Sequence, residues 1–206
     1  GTLNVADPDN NQDIDVPPYD TLTYQQQDQL GGYIQDQLSW DNWRLLLSGR
    51  EDWARSRVTD KIADTTTRQN DFKFTGHAGL VYMFGNGLAP YASYSTGFQP
   101  NAGTDANGSA FNPTTSRQEE IGLKYQPKGM QSFVAVSAYN LVQQNVLTSD
   151  PDNPGFSIQT GEVRTRGIEL EGKANLAEGL NITAAYSFMD NVVTKASADD
   201  GTKGKS

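Results

Sequence analysis

A chain of 206 residues with 16 basic and 25 acidic side chains carries a net charge of -9, which disfavours nucleic acid as a partner because that binding rests on Lys and Arg neutralising phosphates. It has no cysteine, so neither disulfides nor thiolate metal sites contribute. Only 35% of residues are hydrophobic and mean hydropathy is -0.63, a lean supply for a soluble core, yet eight Phe, three Trp and nine Tyr argue against disorder. A membrane β-barrel reconciles these facts, because one side of each strand meets lipid while the other lines a polar interior. No run of about 18 apolar residues exists, which excludes a helical span and leaves strand spans open. No signal-peptide pattern opens the chain at Gly1, so it is expected to begin downstream of one.

The first 20 residues hold Asp7, Asp9, Asp13 and Asp15, which lack the glycine and closing glutamate of a spaced calcium loop and are read as a solvated loop. Strands are then expected over 24–40 and 43–58, around the turn Asp41-Asn42, followed by a long polar connection from Thr59 to Asn70. The third and fourth, 71–84 and 88–98, flank Gly85-Asn86-Gly87 and lead into a loop from Gly97 to Ser116. The fifth and sixth, 117–126 and 131–146, flank Pro127-Lys128-Gly129 and precede a connection from Ser149 to Gly161. The last two, 162–176 and 180–194, flank Ala177-Glu178-Gly179. Short turns thus alternate with long loops, one hairpin about every 45 residues, the spacing of paired membrane strands. The expected fold is all-β, an antiparallel transmembrane barrel segment of about eight strands.

Alternation assigns faces. Leu180, Ile182, Ala184, Tyr186 and Phe188 share one face, suited to lipid, against Asn181, Thr183, Ala185 and Ser187. Ile168, Leu170, Ala174 and Leu176 oppose Glu169, Glu171 and Lys173, which belong in the lumen. Phe72, Phe74, Ala78, Leu80, Tyr82 and Phe84 oppose Lys73, Thr75 and His77, with aromatics near both ends as in an interfacial girdle. Alternation does not orient 131–146, and Asp36 falls on the same parity as Ile34, Leu38 and Trp40, an awkward place for a charge.

No catalytic or metal site emerges. His77, the one histidine, reads as a lumen-facing polar residue. Glu119 and Glu120 face opposite sides of a strand, and Glu169 with Glu171 beside Lys173 reads as a lumenal charge network rather than an acid-base pair. Asp-Pro-Asp-Asn occurs at Asp7 to Asn10 and at Asp150 to Asn153, which turn chemistry explains without a ligand.

Several segments, in order, resemble TonB-dependent siderophore receptors: Tyr33-Ile34-Gln35-Asp36-Gln37, Leu47-Ser48-Gly49-Arg50-Glu51-Asp52-Trp53, Leu88-Ala89-Pro90-Tyr91-Ala92-Ser93-Tyr94-Ser95-Thr96-Gly97-Phe98 and Gln118-Glu119-Glu120-Ile121-Gly122-Leu123-Lys124-Tyr125. Asn145-Val146-Leu147-Thr148-Ser149-Asp150-Pro151, then Gln159-Thr160-Gly161-Glu162-Val163-Arg164-Thr165-Arg166-Gly167-Ile168-Glu169-Leu170-Glu171, continue the series. Within that family the chain looks closest to ferrichrome-type hydroxamate receptors.

The resemblance implies an outer-membrane barrel of about 22 strands around an N-terminal plug, importing a ferric siderophore with energy passed through the TonB protein. Residues 1–206 would be a single region from the middle of that barrel, with the plug and the TonB-contacting segment outside it. Implied partners are the ferric siderophore, the plug of the same parent protein, TonB and outer-membrane lipid. Iron would arrive wrapped in its chelator, so no cofactor or metal ligand is expected. Tyr19, Phe98, Phe111 and Phe156 are the candidate siderophore contacts, as loop or rim aromatics. A passive porin or a soluble all-β binding module are the rival readings.

Overall fold

In a computed structural model, residues 22–177 and 179–195 are described. They form one antiparallel sheet of eight strands: β1 (Thr23–Trp40), β2 (Trp43–Asp60), β3 (Thr65–Tyr82), β4 (Leu88–Gln99), β5 (Thr114–Tyr125), β6 (Phe133–Ser149), β7 (Ser157–Ala177) and β8 (Leu180–Lys195). Each strand pairs with its neighbour in sequence, in the spatial order β1 to β8. The four expected tight turns all lie at one end of the sheet.

Residues opposite one another across a ladder share a face, so the register can be followed across the whole sheet. One row reads Leu38, Leu45, Leu80, Ala92, Ile121, Ala138, Ile168 and Phe188, apolar at every position. An adjacent row on the other face reads Gln35, Ser48, His77, Ser95, Gln118, Leu141, Thr165 and Asn191. The register also orients β6, which alternation left open: Val134, Val136 and Ala138 join the apolar face, and Ala135, Ser137 and Tyr139 the polar one.

The apolar face is uncovered. Ile34, Phe72, Ile121 and Tyr186 are 77%, 75%, 65% and 66% exposed, while among the described residues only Ala54, Phe111 and Val142 are buried hydrophobics. A sheet one layer thick with no core has nothing to bury this face against except lipid. At the tight-turn end Trp40 stacks on Trp43, and Trp43, Tyr82 and Phe84 meet edge to face, with ring centroids 6.0, 4.7 and 4.7 Å apart, forming one aromatic girdle.

The apolar span also slides along the strands. On β1 it runs from Trp40 up to Leu30, so Leu38 is near its bottom, whereas on β8 it runs from Leu180 to Phe188, so Phe188 in the same row is at its top. That slippage is the tilt of strands in a barrel wall.

The opposite end differs from expectation in one respect. Of the three long connections expected there, only 100–113 is a long loop. β2 and β3 continue to Asp60 and from Thr65, joined by 61–64, and β6 and β7 run to Ser149 and from Ser157. Above the membrane no lipid imposes an apolar face, so those stretches are mostly polar and carry no alternation to separate strand from loop.

Candidate functional site

The polar face at the loop end holds the hydrogen-bonded clusters from which a ligand mouth can be built. On β1, Gln25, Gln27, Gln29, Gln35 and Gln37 share this face with Tyr33. Asp52 on β2, 3% exposed, takes a two-pronged bond from Arg50 at 2.7 and 2.8 Å and a third from Gln29 at 3.0 Å. A bidentate arginine fixes direction as well as charge. The guanidinium lies over Gly31, where any Cβ would collide with it.

The same device recurs deeper. Tyr91 lies over Gly122, its partner across the β4–β5 ladder, and donates its hydroxyl to Glu120 at 2.7 Å. Tyr139 lies over Gly167 in the same way across β6–β7. Flattened rings over glycine backbone keep the wall thin on its polar side. Gln118 completes the Glu120 carboxylate at 3.0 Å.

Loop 100–113 folds against this face and is fastened along its length. Asn145 adopts φ 59°, a left-handed conformation that asparagine tolerates better than most residues, and its carbonyl turns out of the β6–β7 ladder. That carbonyl accepts from Thr114 Oγ1 at 2.9 Å, Gln159 Nε2 at 3.0 Å and Asn101 Nδ2 at 3.5 Å. Asn145 in turn donates to the carbonyl of Pro113 at 3.0 Å. Gln159 pairs with both backbone groups of Asn112, at 2.6 and 2.8 Å. On the far side Gln69 of β3 donates to the carbonyl of Phe111 at 2.8 Å. Asp105 caps the loop tip, accepting from the amides of Asn107 and Ser109 at 2.9 and 2.8 Å.

The three candidate aromatics among the described residues do not converge. Tyr19 lies outside the described residues. Phe98, opposite Thr115, is on the same face as Tyr94, away from the polar mouth. Phe111 is 6% exposed and serves as the loop's internal anchor. Phe156 is 41% exposed at the tip between β6 and β7. Sequence reading placed the loop but not Gln69, Asn101, Thr114, Asn145 and Gln159, since amide and hydroxyl side chains in a polar stretch carry no mark of which backbone group they bind.

Carboxylates at the loop end serve turns and edges. Asp150 accepts from Asn153 Nδ2 at 2.9 Å and from the amides of Asp152 and Asn153 at 2.9 and 3.2 Å. Its pKa is lowered, first by the Asn153 side chain and then by the Asp152 amide. The second Asp-Pro-Asp-Asn is thus a turn closed by its own first residue, and the first copy lies outside the described residues. Glu162 is drawn down to about 2 by Lys195 at 2.9 Å, Thr194 at 2.8 Å and Gln144 at 3.2 Å, in that order of effect. Glu119 and Glu120 face opposite ways, Glu119 with Asn140 at 3.4 Å and Glu120 with Tyr91.

A one-layer antiparallel sheet, apolar and girdled by aromatics on one side, polar with an inward-folded loop on the other, is the wall of an outer-membrane barrel. The chain belongs to the TonB dependent receptor-like β-barrel family, whose model matches residues 2–206. It is 38% identical over 188 residues to the ferrichrome outer membrane transporter/phage receptor of Escherichia coli, covering 91% of this chain and 24% of that protein. It is 37% identical over 191 residues to the ferrioxamine B receptor of Salmonella typhimurium, covering 91% and 27%. The chain therefore spans about a quarter of the length of these curated relatives. Among solved structures it is similar to the siderophore receptor PiuA of Acinetobacter baumannii, with TM-score 0.72, 22% identity and coverage of 88% and 28%, a likeness of fold. These relatives are receptors and transporters, not enzymes.

Proposed function

We propose that the parent protein takes up a ferric siderophore of the hydroxamate class across the outer membrane with energy relayed by TonB, and that this segment supplies barrel wall and outer loops. The observation that carries the reading is the 38% and 37% identity, over 91% of the chain, to receptors named for ferrichrome and ferrioxamine B. Charge supports it independently. Residues 1–20 hold Asp7, Asp9, Asp13, Asp15 and Asp20 and no basic residue, and 97–116 hold Asp105 as their one charge. Such a mouth repels the strongly anionic ferric catecholates and accepts a neutral or cationic hydroxamate complex.

Neutral amides of Gln25, Gln27 and Gln29 supply donors and acceptors without adding charge. Tyr19 and Phe156 are the aromatics proposed to reach the ligand, while Phe111 contributes by holding loop 100–113 in place. The plug of the same protein would close the lumen and contact the polar face, and a passive porin reading is not favoured by the family match. Competition binding to the intact receptor tests the proposal. Ferrichrome or ferrioxamine should displace labelled ligand at far lower concentration than a ferric catecholate, and the reverse order would refute it.

A further inference from the structure

Asp36 stands on the lipid face. It lies opposite Leu47 in the β1–β2 ladder, on the parity of Ile34 and Leu38, and no hydrogen bond or ion pair joins it to any described residue. The outward apolar span on β1 runs from Leu30 to Trp40, ~25 Å along the membrane normal at the strand rise and tilt of such barrels. Asp36 is four residues from Trp40 and six from Leu30, so it sits near mid-depth, where water does not reach. An ionisable group there needs a partner.

The partner does not come from the β2 side. There the face sinks into a groove whose floor is the opposed pair Gly49 and Gly76, walled by Leu47, Phe74, Ala78 and Tyr94. Arg44, Arg50, Lys73 and His77 belong to the opposite face by register, and Arg55, Arg57 and Arg68, which share the outward face, lie far up the strands beyond Trp53, opposite Asp28, Gln26 and Arg57. Glu51 also points outward, but it lies opposite Gly32 beside Trp53, at the upper end of the span. The remaining approach to Asp36 is across the other edge of β1, which pairs with no described strand. The matched relatives are about four times as long as the aligned segment, so chain exists to fill that edge.

We infer that Asp36 is one half of a membrane-embedded polar pair, whose other half is a Lys or Arg on the strand that closes against the free edge of β1 in the intact barrel. Directly opposed residues in an antiparallel ladder bring their Cβ atoms ~5 Å apart. A charge pair at that distance, surrounded by lipid, selects one register. A one-residue slip would turn the cation into the lumen and leave Asp36 alone in the bilayer, so the pair fixes how this wall joins its neighbour. The pair is independent of which ligand the receptor takes.

The experiment uses the full-length receptor, purified in detergent and checked for ligand binding, with the unfolding rate read from heat-modifiable gel mobility. Asp36→Leu and Asp36→Asn are compared with the wild type. A carboxylate that merely faces lipid is a liability, so its removal would slow unfolding or leave it unchanged, and either outcome overturns the inference. A paired carboxylate predicts at least fivefold faster unfolding for both variants. Exchanging the charges, with Asp36→Lys and an acid at the opposed basic position of the preceding strand, should then recover at least half of the loss. No recovery at any basic residue of that strand, or an effect seen only in cells and not in the purified receptor, would place the counter-charge on another molecule and also overturn it.

Discussion

Gln69 of β3 donates its side-chain amide to the carbonyl of Phe111, 42 residues further along the chain, at 2.8 Å. With Gln159 holding Asn112 from β7, the loop between β4 and β5 is tied to strands four positions apart in the sheet. It behaves as a brace across the outer mouth rather than as a free strand connection. Phe111→Ala removes a ring that is 6% exposed and should cost the loop about 3 to 5 kcal/mol. The loss is local, because the ladders beneath do not depend on that ring. Limited proteolysis should therefore cut within 100–113 much faster, while amide exchange in β5 and β6 stays as in the wild type. Loosening of β5 together with the loop would show that the loop is not a separate unit.

Asn145 makes a second prediction from the same brace. Its carbonyl is held outside the ladder by Thr114, Gln159 and Asn101, so its left-handed φ is supported by side chains. Asn145→Gly keeps that carbonyl and removes backbone strain, losing only the bond to Pro113. Asn145→Val also loses that bond and disfavours the φ that aims the carbonyl, since a β-branched residue at positive φ is strained. The valine variant should lower the thermal midpoint of the receptor well below the glycine one. Equal midpoints would mean that φ here is not constrained.

Much of the sheet was legible because a strand half in lipid must alternate. Ile168 to Leu170 and Ile182 to Phe188 display the two-residue period, and the tight turns beside them carry Gly87, Gly129 and Gly179, all at positive φ. The outer ends were not legible for the opposite reason. From Thr65 to Asn70 both faces are polar, so nothing in the sequence distinguishes a strand from a loop there. The brace was invisible on other grounds: Gln69 and Gln159 bind backbone groups 42 and 47 residues away, and only the fold brings these together.

Glu162 gives a pH prediction. Its carboxyl is held at about 2, against an ordinary value of 4.5, chiefly by Lys195 and then by Thr194 and Gln144. A depressed carboxylate contributes stability that is fully present above its unfolded value and lost as pH falls through the folded one. The outer ends of β7 and β8 should therefore loosen between about pH 4.5 and 2. Amide exchange at 191–195 against pH measures this. Glu162→Gln should make that segment looser at pH 7 and remove its own step at low pH, and an unchanged step would assign it to another group.

Gly122 tests the thin polar wall. A methyl there would strike the Tyr91 ring, which lies flat across the glycine and is fixed by its bond to Glu120. Gly122→Ala must swing the ring into the lumen and break that bond, at a cost of about 1 to 3 kcal/mol. Replacing Tyr91 with Ser in the same chain should remove most of the penalty, because the atoms nearest that methyl all belong to the Tyr91 ring and hydroxyl. Additive losses in the double variant would show that the two residues do not compete for one volume.

Ala184 and Ala185 are the sharpest test of which face meets lipid, because the two sites begin from the same side chain. Ala184 is opposite Gly172, on the face of Leu170 and Tyr186, at the centre of the apolar span of β8. Ala185 is opposite Glu171, on the face of Glu169 and Lys173. An arginine at 184 must sit near the bilayer midplane and should cost about 2 to 4 kcal/mol. An arginine at 185 enters the polar side beside a carboxylate, with Coulomb attraction to offset any crowding, and should cost far less. Reversible folding of the full receptor into lipid vesicles, with denaturant titration of Ala184→Arg and Ala185→Arg, reads both numbers on one scale. Equal losses would count against this assignment of faces, and a larger loss at 185 would reverse it, so that the continuous row from Leu38 to Phe188 lines the lumen instead.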